Sequence, residues 1–206
     1  MIWDGNRGRL TCGVQCGDSS MIEQDLFQNS DGGLIPTSPL QLKLVEMKAQ
    51  EASILNERWH RVLPKIHWSC IVRNTHRVCY AIIFNNEAIG VAIWSSPVAQ
   101  NRFPDGKKML ELRRLALSDK CPKNTASRVI SIMIKLIKNK FPEINRLISY
   151  QDCAEHTGTI YKASGWVATN KTKLIDWTTS KRKRSPLQSK SDKIRWEYLL
   201  KSPNAD

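Results

Sequence analysis

Met109-Leu110-Glu111-Leu112-Arg113-Arg114-Leu115-Ala116-Leu117 (MLELRRLAL, residues 109–117) is the stretch on which the fold turns. Successive side chains of a strand point to opposite faces. Leu110 and Leu112 therefore share one face, and Leu115 and Leu117 share the other. The apolar parity switches at Arg113-Arg114. A regular strand cannot keep one buried face through such a switch. A β-bulge can, because one extra residue re-aims every side chain after it.

The flanking segments supply the partners of this strand. Upstream, Val78 to Phe84 (VCYAIIF) and Ala88 to Ser95 are β-rich runs separated by Asn85-Asn86, a turn signal, and together they read as a hairpin. Pro97 breaks it, and residues 98–108 read as a polar, partly basic loop. Downstream, Ser118 to Thr125 is a loop. Ala126, Val129, Ile130, Met133, Ile134 and Ile137 then recur at helical spacing. Asn124 or Thr125 can cap that helix, and Pro142 stops it. Arg146 to Tyr150 reads as a short strand, and Thr157 to Ser164 as a short helix closed by Gly165. Strand-like pieces follow around Lys173–Trp177 and Lys193–Leu199. Before the hairpin, Ser38-Pro39-Leu40-Gln41 has the form of a capping box. Leu44, Ala52, Leu55 and Trp59 then continue at helical spacing up to Pro64. The order of elements predicts an α/β (α+β) fold with a mixed central sheet flanked by helices.

Residues 1–36 are rich in Gly, Ser, Asn and Asp and read as an irregular extension. Residues 37–201 read as a single domain that ends in a basic region, 171–201. The 206 residues carry a net charge of +13, unevenly spread. Residues 1–50 hold four Lys/Arg against six Asp/Glu, whereas residues 171–201 hold ten against three. Such asymmetry points to a polyanionic partner for one face, and the basic loop Lys181-Arg182-Lys183-Arg184 is its densest part. No apolar run approaches a membrane span, and the first residues lack the apolar core of a signal peptide. A cytoplasmic protein is expected. The six cysteines are scattered, and Cys12-x3-Cys16 lacks a second ligand pair at zinc-like spacing.

Four constellations can carry chemistry. At the start of the long helix, free N–H groups can bind phosphate, with Ser127 adding a hydroxyl and Lys123 and Arg128 adding charge; an ordinary capped helix is the plainer reading. Directly after a strand, Asp152, Glu155 and His156 can act as acid or base or ligate a metal, or Asp152 can cap the next helix with His156 merely exposed. Tyr161 can donate a proton, or can pack its ring in the core with its hydroxyl at the rim. Trp59-His60 and His67-Trp68 can line a pocket that stacks a base, or can be structural.

The stretch from Val78 to Trp166 resembles the GNAT acyltransferase fold, in which a bulged fourth strand is followed by an acyl-CoA pyrophosphate loop and helix. More closely, ELRRLAL (111–117), KNTASR (123–128) and SYQDCAEHTGTIYKASGW (149–166) resemble the Mom family of bacteriophage DNA-modification proteins. GVAIWSSPVAQ (90–100) is similar to a related GNAT-like phage and prophage family. The resemblance implies a transferase that converts adenine in DNA to N6-(carbamoylmethyl)adenine and so shields phage DNA from restriction in the host cytoplasm. It implies double-stranded DNA as partner, allows a homodimer, and implies acetyl-CoA or another acyl donor, with iron as an associated metal. Carried over by residue, it implies catalytic roles for Arg114, Ser127, Asp152 and Tyr161, and a cofactor site at Lys123, Asn124, Ser127 and Arg128. DNA contacts fall to Trp59, His60 and Lys181 to Arg184, and metal ligands to His60 and Asp152. One departure stands out: the loop CPKNTASR (121–128) has no glycine, although close backbone approach to a pyrophosphate favours it. The competing functions are a GNAT enzyme acting on a protein or small-molecule amine, and a nucleic-acid-binding module without catalysis.

Overall fold

In the computed structural model, which describes residues 35–60, 63, 65–98, 100–173 and 191–200, the strand Met109–Leu117 carries the expected bulge. Its antiparallel neighbour Glu87–Ser95 pairs Ile93 with Arg114 and then Trp94 with Leu112. Arg113 is the extra residue. Leu110 and Leu112 are buried in the main core, and Leu115 and Leu117 pack against the same core. All four leucines thus face one side. Ala116 lies in the second core on the opposite side, the side that Arg114 shares with it two residues away.

Seven strands form one mixed sheet. They are β1 (Lys43–Glu46), β2 (Arg77–Phe84), β3 (Glu87–Ser95), β4 (Met109–Leu117), β5 (Arg146–Asp152), β6 (Val167–Thr172) and β7 (Lys193–Leu199). Their order is β1-β2-β3-β4-β5-β7-β6. The β2–β3 hairpin turns through Asn85 (φ 46°) and Asn86 (φ 61°), both left-handed, the geometry that matches strand twist in a two-residue turn. Helix α1 (Ala49–Trp59) packs on β2, β3 and β4 beside α2 (Trp68–Val72). On the other face α3 (Thr125–Lys140) buries Val129, Ile130, Met133, Ile134 and Ile137 in the main core and touches α4 (Thr159–Ala163).

The helix expected from Ser38 onward is a correction. The capping box exists: Ser38 Oγ accepts from the Leu40 N–H, and Gln41 Oε1 accepts from the Ser38 N–H at 3.0 Å. It closes a 3-10 turn over Pro39–Gln41, and the chain then extends. Lys43–Glu46 adds to the sheet edge beside β2, which places Leu44 against the main core. Strand pairing overrides the local cap there, and the helix begins at Ala49 instead. A second correction concerns α3. Asn124 stands before it with φ 67° and makes no side-chain cap, while the Thr125 hydroxyl donates backward to the Pro122 carbonyl at 2.7 Å. Strand β6 lies earlier than the expected strand around Lys173–Trp177, of which residues 174–177 fall outside the described residues.

Gly158 (φ +75°) opens α4, and Gly165 (φ +80°) follows it as expected. A Cβ on Gly158 would stand 2.4 Å from Gln151 Oε1 and 2.7 Å from the Trp196 ring. Gln151 cannot easily yield, because the Trp196 Nε1–H donates to its Oε1 at 2.8 Å and its own amide donates to the His156 carbonyl. Gly158→Ala therefore combines left-handed strain with overpacking and is expected to cost about 2–4 kcal/mol, measured by urea unfolding. A variant with wild-type stability would show that this turn tolerates both.

Candidate active site at the split between two parallel strands

Strands β4 and β5 are parallel and paired over Met109–Leu112 and Arg146–Ser149. Beyond that point they part company. β4 continues beside β3 to Leu117, whereas Tyr150, Gln151 and Asp152 pair with Arg195, Ile194 and Lys193 of β7. The bulge at Arg113 coincides with the parting. A gap therefore opens in mid-sheet, bordered by backbone that is not bonded across it.

Tyr161 marks the apex of this gap. Its hydroxyl lies 2.9 Å from Ser149 Oγ, and the Ser149 hydroxyl donates to the Leu112 carbonyl at 3.2 Å. Leu112 and Ser149 are the last facing pair before the strands separate. Because the single Ser149 proton goes to Leu112, Tyr161 is the donor in its bond to Ser149. Should Tyr161 release its proton into the gap, Ser149 can turn and donate to the phenol oxygen instead. Burial pushes the Tyr161 pKa up, and the Ser149 bond holds it partly down. The ring is fixed by stacking on Trp196 (5.4 Å, 17°) and by an edge contact with Trp166 (5.7 Å, 62°). The ring is core, as the plainer reading has it, and the hydroxyl lies at Ser149 beside the parting of the strands. Ser149, Gln151 and Trp196 form its support and were not singled out from sequence. Their role depends on β5–β7 pairing, which no local pattern announces.

The other face of the gap is cationic. The Arg114 Nη1 donates to the Arg113 carbonyl at 2.7 Å, while its Nε is buried without a hydrogen-bond partner. Burial, then Arg113, lowers the Arg114 pKa; Glu111 opposes them. Glu111, also missed in the sequence, is buried and accepts from the Val98 N–H at 3.1 Å; burial raises its pKa against the pull of that bond, Arg113 and Arg114.

His60 stands just after α1 within electrostatic reach of Arg114 and His156. Burial first, then Arg114 and His156, lowers its pKa from an ordinary 6.5 to about 4. Its Nδ1 accepts from the Leu63 N–H at 3.2 Å, so the neutral ring carries its proton on Nε2. The folded value lies below the unfolded one. His60 thus contributes stability that is present above about pH 6.5 and is lost as the pH falls through about 4. His60→Gln is expected to flatten the decline of melting temperature across that window; an unchanged decline would contradict this. Trp59, next to it, is half-buried against the second core, with the Arg58 guanidinium 5.8 Å from its ring centre.

Asp152 ends β5 and organises the turn after it. Its Oδ1 accepts from the Ala154 N–H at 3.0 Å and from the Ser191 hydroxyl, and its carbonyl accepts from the N–H groups of Glu155 and His156. The turn carries His156 toward His60. At the start of α3, Ser127 Oγ donates to the Asn124 carbonyl at 3.1 Å, Lys123 is exposed, and Arg128 is partly buried. The N–H groups of Ala126 and Ser127 occupy the first turn, where the helix itself supplies no acceptor. Asn124 takes the left-handed conformation that glycine more often supplies, although it keeps the side chain that a glycine would lack.

The donor set does not fit iron at His60 and Asp152. Among the described residues no three His, Cys, Asp or Glu side chains gather as a metal would require. His60 has one ring nitrogen engaged and a guanidinium nearby, a poor setting for a divalent cation. Lys181 to Arg184 lie outside the described residues.

The Mom protein family model matches residues 51–203, which takes in both faces of the gap and every strand from β2 to β7. The chain belongs to the Mom protein family. Its relatives include the methylcarbamoylase mom of Escherichia phage Mu, 28% identical over 51% of this chain and 46% of that protein. The chain thus spans about half the length of the curated relative it matches. The Mom-family chain also has the fold of GNAT acetyltransferases. The N-acetyltransferase from Staphylococcus aureus Mu50 superposes with a TM-score of 0.57 at 13% identity, over 78% of this chain and 99% of that one. The ribosomal-protein-S18-alanine N-acetyltransferase from Escherichia coli gives 0.56 at 10% identity, over 80% and 97%. A GNAT family acetyltransferase from Elizabethkingia anophelis, with acetyl-CoA bound, gives 0.53 at 17% identity, over 77% and 98%. At such identities the likeness is one of fold. No helix among the described residues of the Mom-family chain is long and apolar enough to cross a membrane.

Proposed function

We propose that this protein is a transferase that converts adenine in double-stranded DNA to N6-(carbamoylmethyl)adenine, and that the product protects phage DNA from restriction. The Mom family match over residues 51–203 carries the reading, supported by the methylcarbamoylase named in phage Mu. The gap between β4 and β5 would admit a donor of the acyl-CoA class, and a fold neighbour holds acetyl-CoA. The first turn of α3 would hold the donor's phosphates through backbone N–H groups and Ser127, with charge from Lys123 and Arg128. Such a donor would supply an acyl carbon and a thiolate leaving group. Acyl transfer alone would leave an N-acyl adenine, so the methylene and amide nitrogen of the carbamoylmethyl group call for a second, glycine-like co-substrate that the activated acyl group joins or activates. Tyr161 holds a proton at its hydroxyl for that leaving group, Asp152 accepts one from the adenine amine, and Arg114 orients anionic or carbonyl oxygen beside them.

The test is direct. The protein is expressed in a bacterium, the DNA is digested to nucleosides, and these are examined by mass spectrometry. A new adenosine species that disappears in Asp152→Ala is the expected result. Unmodified DNA with acetyl-CoA turnover on protein or small-molecule amines would overturn the reading in favour of an ordinary acetyltransferase.

Reaching an exocyclic amine requires the adenine to leave the stack. The basic segment Lys181 to Arg184 would grip phosphates meanwhile. Reversing those four charges is expected to weaken DNA binding and to flatten its salt dependence, by about 0.9 in log–log slope for each phosphate no longer neutralised. Salt titrations by fluorescence anisotropy measure this, and an unchanged slope would remove the segment from the DNA interface.

A further inference from the structure

Both sides of the gap are built differently, and the difference determines where a base can enter. On the Ser149 side, Tyr161, Trp166 and Trp196 close the space with buried rings. Tyr150 is the neighbour of Ser149 in β5 and points to the opposite face. It is 39% exposed, an unusual setting for a large ring on a central strand of the sheet. Arg195 faces it directly across the β5–β7 pair, within electrostatic reach of its hydroxyl.

Arg195 is itself held in place. Its guanidinium lies over the Phe103 ring at 5.1 Å, its Nε donates to Thr169 Oγ1 at 3.2 Å, and the same nitrogen is ion-paired with Glu197 Oε1 at 2.8 Å. Tyr150 thus stands part-exposed beside a guanidinium that is fixed from three other sides. Glu111 lies within electrostatic reach of Tyr150, and Arg114 within reach of both Glu111 and His60. Val98, whose N–H bonds Glu111, is 71% exposed and adds an apolar rim. Arg146 and Arg195 are offset by Asp105 and Glu197, while Arg113 and Arg114 share Glu111.

We infer that Tyr150 is the stacking platform for the extruded adenine, with the fixed Arg195 guanidinium beside it. The inference rests on the adenine-modification reading and assigns its acceptor site. A flat, part-exposed ring beside guanidinium groups suits a nucleobase whose flanking phosphates are anionic. The opposite face of the gap offers a base no comparable entrance, because its rings are packed into the core. Stacking there brings the adenine toward the gap from the side opposite Tyr161, which keeps the amine and the proton donor on separate faces.

The test uses purified full-length protein and two duplexes, one fully paired and one with an abasic site opposite a single adenine, which lowers the cost of extrusion. Wild type is expected to bind the second duplex on the order of tenfold more tightly by fluorescence anisotropy. Tyr150→Leu, which keeps apolar bulk without a ring, should lose that preference, whereas Tyr150→Phe and Tyr150→Trp should keep it. In cells, Tyr150→Leu should lower the modified adenosine by about the same factor. A Tyr150→Leu variant that binds and modifies like wild type would overturn the inference, as would loss of the preference in Tyr150→Phe. Circular dichroism of each variant separates these outcomes from misfolding, and Tyr150→Trp tests the platform if the leucine variant fails to fold. Absence of any modified adenosine with wild type would instead bring down the adenine reading itself.

Discussion

Tyr161→Phe is expected to cut the yield of modified adenosine about 10²- to 10⁴-fold, the range ascribed to a positioned proton donor. The substitution removes one oxygen and leaves the ring on Trp196 and against Trp166. Its structural cost is the bond to Ser149, worth about 1 kcal/mol, or about 2–4 °C of melting temperature in a chain of this size. Ser149 keeps its bond to the Leu112 carbonyl, so the apex of the gap should hold its shape. Quantitative nucleoside mass spectrometry alongside thermal unfolding separates the two effects. A well-folded Tyr161→Phe that still modifies DNA at the wild-type level would place the proton donor elsewhere.

Arg114→Met should show the opposite pairing of effects. The guanidinium is desolvated, one of its nitrogens has no partner, and it sits beside a second arginine. A buried cation of that kind costs stability, and an apolar chain of similar length removes the cost. The melting temperature is therefore expected to stay level or rise by a few degrees. Modification is expected to fall by about 10²-fold or more, because a fixed charge beside the reacting centre is lost. A variant that loses stability and activity together would make Arg114 a structural residue, held for its bond to the Arg113 carbonyl. Stability retained with activity lost is the signature of a charge kept for chemistry.

How these residues came to be visible, or not, follows from the range of the forces that place them. The bulge was legible in nine residues, because a parity switch in strand hydrophobicity is local and admits few geometries. The long amphipathic helix, the Asn85-Asn86 turn and the Gly165 stop were legible for the same reason. Arg114 was reached through motif resemblance and Tyr161 first as a phenol on the short helix, and the fold then gave each a physical setting. Other features could not be read this way. The box at Ser38 satisfied every local rule for a helix, yet pairing with β2 took the chain into the sheet. Glu111 and Tyr150 looked like ordinary alternation in a strand. Their surroundings come from Val98, Arg114 and Arg195, two of them distant in sequence. By itself the sequence determined the bulged strand, the hairpin and the helix that follows, since each is specified by neighbours a few residues apart. The tertiary structure alone decided that β4 and β5 part at Leu112 and Ser149. It also set buried rings on one side of that gap and an open tyrosine on the other, because long-range strand pairing and the packing of α1, α3 and α4 choose which side of each strand stays covered.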